Sequence, residues 1–311
     1  VPELTVTFGA ARTGQLLRPE RVGHLVVADI GLLGGGSAAC AFDGPAVAQL
    51  LPAFAADVHK GRRGHLGVFA GSEGMEGAAS LVCLGALRAG CGLVTLHSDI
   101  VPRGLPVEVM HRRQPLDADH DLDHDLDYDA GAVGPGLGQS PQALRLWRRL
   151  QVPSVFDADG LNGLGPRPQP STFPRVITPH PGEAARLLGN TVAAVEQDRL
   201  AALSSLHRIA PALLKGRNTL ISGAQPRFNL TGGPMLATAG SGDVLTGIVG
   251  AFLARGLEAT DALTAAAFVH GLAGEIAGDG CLASDIADAV PAAIARLPER
   301  TDVLDWRPLC A

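Results

Sequence analysis

The chain predicts an α/β fold built on a parallel sheet, and three observations carry that expectation. First, Leu66 to Ala70, Ala78 to Ala89 and Leu93 to Leu96 read as strand, alanine-rich helix and strand. Such a βαβ unit crosses over right-handed and makes its strands parallel. Second, apolar runs at Ala130 to Val133, Val152 to Phe156 and Val176 to Thr178 each stop at a turn rich in Gly, Asp or Pro. Ligands bind at such strand ends in open α/β sheets. Third, Ala237-Thr238-Ala239-Gly240-Ser241-Gly242-Asp243 is a glycine-rich loop entering a helix. Val244, Ile248 and Phe252 recur there every four residues, as on a buried helical stripe.

Taken in order, residues 1–36 look unlike the rest. Leu4 to Phe8 alternates like a strand and Leu25 to Ile30 reads as a buried one, before a Gly34-Gly35-Gly36-Ser37 junction. Two strands form no core alone, so this is an arm docked on the main domain or the remnant of another. Ala46 to Phe54 has a short helical pattern. Gly71 to Gly77 loops from the first strand of the βαβ unit, and Gly90 closes its helix. Ala143 to Leu150 reads as a helix with a basic face. Ala212 to Lys215 and Thr219 to Ser222 read as strands joined by the turn Gly216-Arg217-Asn218. Long helices close the chain, Ala262 to Gly278 carrying His270 and Ser284 to Leu297 with Ser284 as N-cap.

Composition limits the function classes. Apolar residues make up 46% of 311, enough for a sizeable core, and 40 glycines suit many tight turns. Aromatics at 4% leave little for base stacking, and a net charge of −6 opposes binding to nucleic acid or an anionic membrane. Five scattered cysteines without a CxxC pair suggest a reduced, cytoplasmic protein. No signal peptide or bilayer-spanning run is evident.

Free amides and the dipole of a helix start make an anion site, and Gly240 and Gly242 let a phosphate approach closely. Asp243 would lie in the first turn, able to meet a hydroxyl that attacks a phosphoryl group. It equally suits an ordinary helix start, where acids are favoured. Asp157 and Asp159 follow a strand, where they suit water-mediated Mg2+ as well as a helix cap. His180 is pinned between Pro179 and Pro181, as a ligand contact or as a structural turn residue. Lys215 and Thr219 suit a nucleotide phosphate or ribose, or an exposed hairpin. Asp117 to Asp129 alternates acids with other residues but lacks the glycine and glutamate spacing of an EF-hand, and reads as a solvated loop. Gly134-Pro135-Gly136-Leu137-Gly138 is a weak motif that Pro135 separates from a dinucleotide fingerprint.

The order of these pieces resembles the ADP-dependent NAD(P)H-hydrate dehydratases, a branch of the ribokinase-like superfamily. Thr178-Pro179-His180-Pro181-Gly182-Glu183 together with Ala239-Gly240-Ser241-Gly242-Asp243 is specific, and the likeness runs from about residue 45 to the end. The resemblance implies a three-layer sandwich, a mainly parallel sheet with helices on both faces, assembled as a homo-oligomer, a tetramer being favoured. It implies dehydration of (6S)-NADHX or NADPHX at the expense of ADP, with Mg2+ bridging the nucleotide phosphates. By motif position, Ala78, Gly138, His180 and Asp243 would contact the hydrate. Lys215, Gly216, Arg217, Asn218 and Thr219, with Gly240, Ser241 and Gly242, would contact the nucleotide. Met75 stands where many relatives carry an aromatic, and Gly233-Pro234 where an Asn-Pro pair is common. Residues 1–36 resemble the tail of an NAD(P)H-hydrate epimerase domain without its catalytic body, ahead of a dehydratase domain at 37–311. No epimerase activity is therefore expected of this chain. A ribokinase-like kinase for a vitamin-precursor alcohol is the alternative.

Overall fold

A computed structural model of the chain describes residues 1–31, 38–53, 59–113, 127–138 and 141–308. The glycine junction at 34–37 lies outside them, as does the acidic run up to residue 126. The N-terminal arm holds β1 (Leu4–Phe8), α1 (Thr13–Leu17) and β2 (His24–Asp29). Short β3 (Cys40–Ala41) and α2 (Gly44–Leu50) lead into the main unit. There β4 (His65–Phe69), α3 (Glu76–Arg88) and β5 (Leu93–Ser98) form the expected βαβ unit. β6 (Met110–Arg113), β7 (Ala130–Val133), α4 (Gln142–Arg149), β8 (Ser154–Phe156), α5 (Asp159–Asn162) and β9 (Arg175–Ile177) follow. Next come α6 (Pro181–Leu188), α7 (Val192–Gln197) and α8 (Arg199–His207). The short strands β10 (Leu213–Leu214), β11 (Leu220–Ile221) and β12 (Arg227–Phe228) precede the last helices. These are α9 (Ser241–Ala254), α10 (Ala259–Ala277) and α11 (Ala283–Arg296), before β13 (Asp305–Pro308).

The central sheet has six strands in the order β6-β5-β4-β7-β8-β9, and every pairing is parallel. Successive strand residues point to opposite faces, and the core divides accordingly. Val68, Ala132, Val155 and Val176 join one apolar cluster with residues of α3, α9, α10 and α11. Phe69, Val133, Phe156 and Ile177 join a second with Trp147, Leu187 and Leu203 from α4, α6 and α8. The result is the expected three layers. Helix α9 differs from the striped helix its spacing suggests. All of its residues are buried except Gly242 and Asp243, because it lies between the sheet, α3 and α10.

Two other sheets flank the main one. β10, β11 and β12 form an antiparallel run that β3 extends in parallel. The arm's β1 and β2 run parallel, and β13 from the far end of the chain adds a third strand beside β2. That third strand resolves the shortage of a two-stranded arm, and it carries residues 305–308 across the expected boundary at 36/37. Leu282, not Ser284, is the N-cap of α11. No helix among the described residues is long and apolar enough to cross a membrane.

Candidate active site

Parallel strands put the segments after their carboxyl ends on one side of the sheet. Asp157 follows β8, Thr178 to His180 follow β9, Lys215 follows β10, and Gly134 to Gly138 follow β7. The N-terminus of α9 meets them there. Thr246, one turn into α9, donates its hydroxyl to Asp157 Oδ2 at 2.8 Å, and a Cβ on Gly242 would stand 3.5 Å from Lys215 Nζ. Asp157 is 1% exposed, and its Oδ1 accepts from Lys215 Nζ at 2.7 Å. Next to it Ala158 holds φ 48°, a left-handed conformation rare for a residue with a Cβ. Such strain gathers at functional sites.

Four charged groups share this space. Glu183 is 5% exposed, and its Oε2 lies 3.8 Å from Lys215 Nζ. Burial pushes its carboxyl up to about 7, Lys215 pulling the other way. Burial works against the charge on Lys215, yet Asp157, Glu183 and Asp243 more than offset it and hold its pKa above the usual range. Asp243 sits in the first turn of α9, half-buried. Burial, then repulsion from Asp157, raises its pKa to about 7 against the pull of Lys215. A carboxylate poised there suits a general base at neutral pH.

His180 has a structural task as well. It is the N-cap of α6, and its Nδ1 accepts from the Gly182 and Glu183 amides at 2.9 and 3.4 Å. The protonated nitrogen of the neutral ring is then Nε2, which lies 3.2 Å from Glu183 Oε1. Burial and Lys215 lower its pKa, consistent with an accepting Nδ1. The ring stays half exposed at 50% and available to a ligand.

The expected site residues fall into two lobes. A cavity of about 740 Å³ is lined by Lys215 to Thr219 on one side and by Ser241 and Gly242 on the other. His270, 7% exposed, also lines it and lies 3.1 Å from Ser241 Oγ through Nε2. Burial drives its pKa down to about 4, so it is neutral. Ala78 and Gly138 lie outside that cavity. They belong to a second cluster, where Gly136 packs so tightly that a Cβ would meet Met75 O at 2.7 Å and Ala78 Cβ at 3.1 Å. Gly138 donates its amide to Asp159 Oδ2 at 2.9 Å. Asp243 feels Asp157, Lys215, Asp159 and Glu183 at once, and of these Lys215 lines the cavity while Asp159 binds Gly138 of the second cluster. Within the glycine loop, the Ser241 amide turns back onto Thr238 O and that of Asp243 onto Gly240 O. The anion-binding amides thereby narrow from the whole loop toward Gly240 and Gly242.

Mg2+ beside Asp157 or Asp159 meets a different arrangement. Both oxygens of Asp157 are engaged by protein donors, and Asp159 caps the Gly138 amide while its Oδ1 faces Asn162 at 3.3 Å. No group of three His, Cys, Asp or Glu side chains among the described residues is arranged to hold a metal ion. The donors therefore do not fit a resident ion and suit only one carried by nucleotide phosphates. Glu183 and His270 stand in the sequence without a site role assigned to them, and nothing there marks Ala158. The spacing of Glu183 three residues beyond its N-cap was the available signal. The other two left none.

Comparison with known proteins agrees with this geometry. Residues 66–292 match the family described as NAD(P)H-hydrate dehydratase. The ADP-dependent (S)-NAD(P)H-hydrate dehydratase of Neisseria meningitidis is 40% identical over 267 residues, 78% of this chain and 88% of that protein. The bifunctional NAD(P)H-hydrate repair enzyme of Moorella thermoacetica is 37% identical over 96% of this chain and 63% of its own length. The chain thus spans a little under two thirds of that bifunctional relative. A Bacillus subtilis ADP/ATP-dependent NAD(P)H-hydrate dehydratase, co-crystallized with ATP/Mg2+, superposes with a TM-score of 0.75 and 29% identity, over 83% of this chain and 98% of that one. A ribokinase-like protein of Enterococcus faecalis shares the fold, with a TM-score of 0.70 and 22% identity over 86% of this chain and 99% of that one. The sheet, the glycine loop at its carboxyl edge and the length of the match agree, and this chain belongs to the NAD(P)H-hydrate dehydratase family.

Proposed function

We propose that the chain dehydrates (6S)-NADHX and NADPHX to NADH and NADPH, converting ADP to AMP and phosphate. The observation that carries this is the N-terminus of α9, which carries Asp243 in its first turn and meets the Asp157–Lys215 pair through Thr246 and Gly242. Ala78, Gly138 and His180 form the hydrate side. Lys215 to Thr219, with Ser241 and Gly242, form the nucleotide side around the 740 Å³ cavity, and Gly240, the N-cap of α9, stands next to them outside its lining.

In this reading the C6 hydroxyl of the hydrate attacks the terminal phosphorus of ADP while Asp243 takes its proton. The bond to the bridging oxygen breaks and leaves AMP. Lys215 and the free amides at the helix start hold the charge on the moving group. The ring nitrogen then expels phosphate from C6, and loss of a C5 proton restores the dihydronicotinamide. Phosphate leaves where hydroxide would not. Mg2+ carried by the nucleotide would neutralise its phosphates.

Residues 1–36 are proposed to be the tail of an epimerase-like domain and 37–311 the dehydratase domain. The assembly is proposed to be a homo-oligomer, a tetramer, in the cytoplasm. Among the described residues β6 is one end of the central sheet, and Val101, Val107 and Met110 around it are exposed, as suits a face covered by another copy.

The test is recovery of NADH absorbance from NADHX with ADP or ATP. Recovery with ADP supports the assignment. No recovery, together with phosphorylation of a thiazole or pyrimidine alcohol, would replace it by the kinase reading.

A further inference from the structure

The N-terminal arm reaches the nucleotide side of the site. Helix α1 ends at Leu17, and a 3-10 turn at Pro19–Arg21 follows. Leu16 and Leu17 pack on the second apolar cluster, and Arg18 donates to the Glu196 carbonyl at 3.0 Å. Pro19 lines the same 740 Å³ cavity as Lys215 to Thr219. The Leu16 carbonyl accepts the Asn218 side-chain amide at 2.7 Å, across 202 residues of chain.

Asn218 is one of few residues other than glycine with positive φ, at 50°. Asn tolerates that conformation better than most, but a partner is needed to hold it. The loop it belongs to is pinned from inside by Arg199, which donates to the carbonyls of Leu214, Lys215 and Arg217. The arm meets it at Asn218, while Pro179 and Asn229 hold its two ends, Lys215 donating to the Pro179 carbonyl and Thr219 accepting from the Asn229 amide. The 215–219 loop is thus clamped between α8 and the arm, and its first residue is the lysine that faces Asp157 and Gly242.

We infer that the turn at residues 16–19 is a working wall of the nucleotide site: Leu16 fixes the 215–219 loop through Asn218, and Pro19 closes the rim against the nucleoside of ADP. Pro19 has neither charge nor amide hydrogen, so it offers the base or ribose an apolar face. The arm is thereby a determinant of nucleotide affinity and not of hydrate recognition. This rests on the reading of the cavity as the ADP site.

The test is titration calorimetry of the full chain with ADP, beside steady-state KM values for ADP and NADHX and a melting curve. Pro19→Glu sets a carboxylate against an anionic ligand. It is expected to weaken ADP about tenfold or more, with the KM for NADHX and the melting temperature unchanged. ADP binding as tight as in the unaltered protein would overturn the inference. Should Pro19→Glu melt early, Pro19→Ala decides. A loss of about threefold in ADP affinity with an unchanged melting temperature supports the wall, and no loss overturns it. If the unaltered chain binds no ADP, the nucleotide reading itself fails, a result distinct from either.

Discussion

Asp243 is the group on which the proposed chemistry turns. As a base it works only when ionised, and its pKa of about 7 puts half of it in the acid form at neutrality. kcat/KM for the hydrate should therefore fall tenfold per pH unit below about 7. Asp243→Asn should cost about two to four decades of turnover while ADP binding persists. A pH profile flat down to 5 would remove Asp243 from that role. The same elevation bears on stability. A carboxyl whose folded pKa lies above its unfolded value contributes fully at low pH, and that contribution is lost as pH rises through about 7. Asp243→Asn is thus expected to melt higher than the parent at pH 8, by about 2 °C or more, the gain vanishing toward pH 4. Lys215 holds that pKa down, so Lys215→Met should move the acid limb to higher pH. At this scale the sequence revealed the groups that stand in motifs: Asp243, Lys215, His180. It hid His270, whose meeting with Ser241 depends on two helices packing, and the second task of His180 as a cap.

At the scale of elements, the contact between α3 and α9 is decided by missing side chains. A Cβ on Gly247 would stand 2.1 Å from the Val82 carbonyl, and one on Gly85 would stand 2.6 Å from that of Val244. Neither obstacle is the end of a flexible side chain. Gly247→Ala must separate the helices, and a loss of about 1–3 kcal/mol is expected in denaturant titration. Because α9 carries Asp243 in its first turn, turnover should fall with it. A variant as stable as the parent would show that the pair can part freely. The βαβ unit and the strand ends were legible because hydrophobic runs and glycine turns alternate there. Three kinds of element were not. α7 and α8 lack a strong apolar stripe, β12 is two residues long, and β13 is a strand only because β2 lies beside it.

For the molecule as a whole, the proposed tetramer predicts a solution mass about four times the 31.9 kDa of one chain. Light scattering at the mass of one chain would leave the apolar residues around β6 without a cover and refute the assembly. The three-layer fold was readable because one period of apolar residues serves both faces of the sheet. The union of both chain ends in one small sheet was not, since nothing local in residues 305–308 points to residues 24–29.

The bond between Thr246 and Asp157 has a consequence for how such a protein would work. Thr246 belongs to the helix bearing the base, and Asp157 to the strand end that also grips Lys215. Every partner in that chain of contacts is supplied by the polypeptide, so binding energy is not diverted into assembling it. A catalyst built this way would meet its ligands with these groups already in place, and would not have to spend their binding on ordering the helix against the strand end.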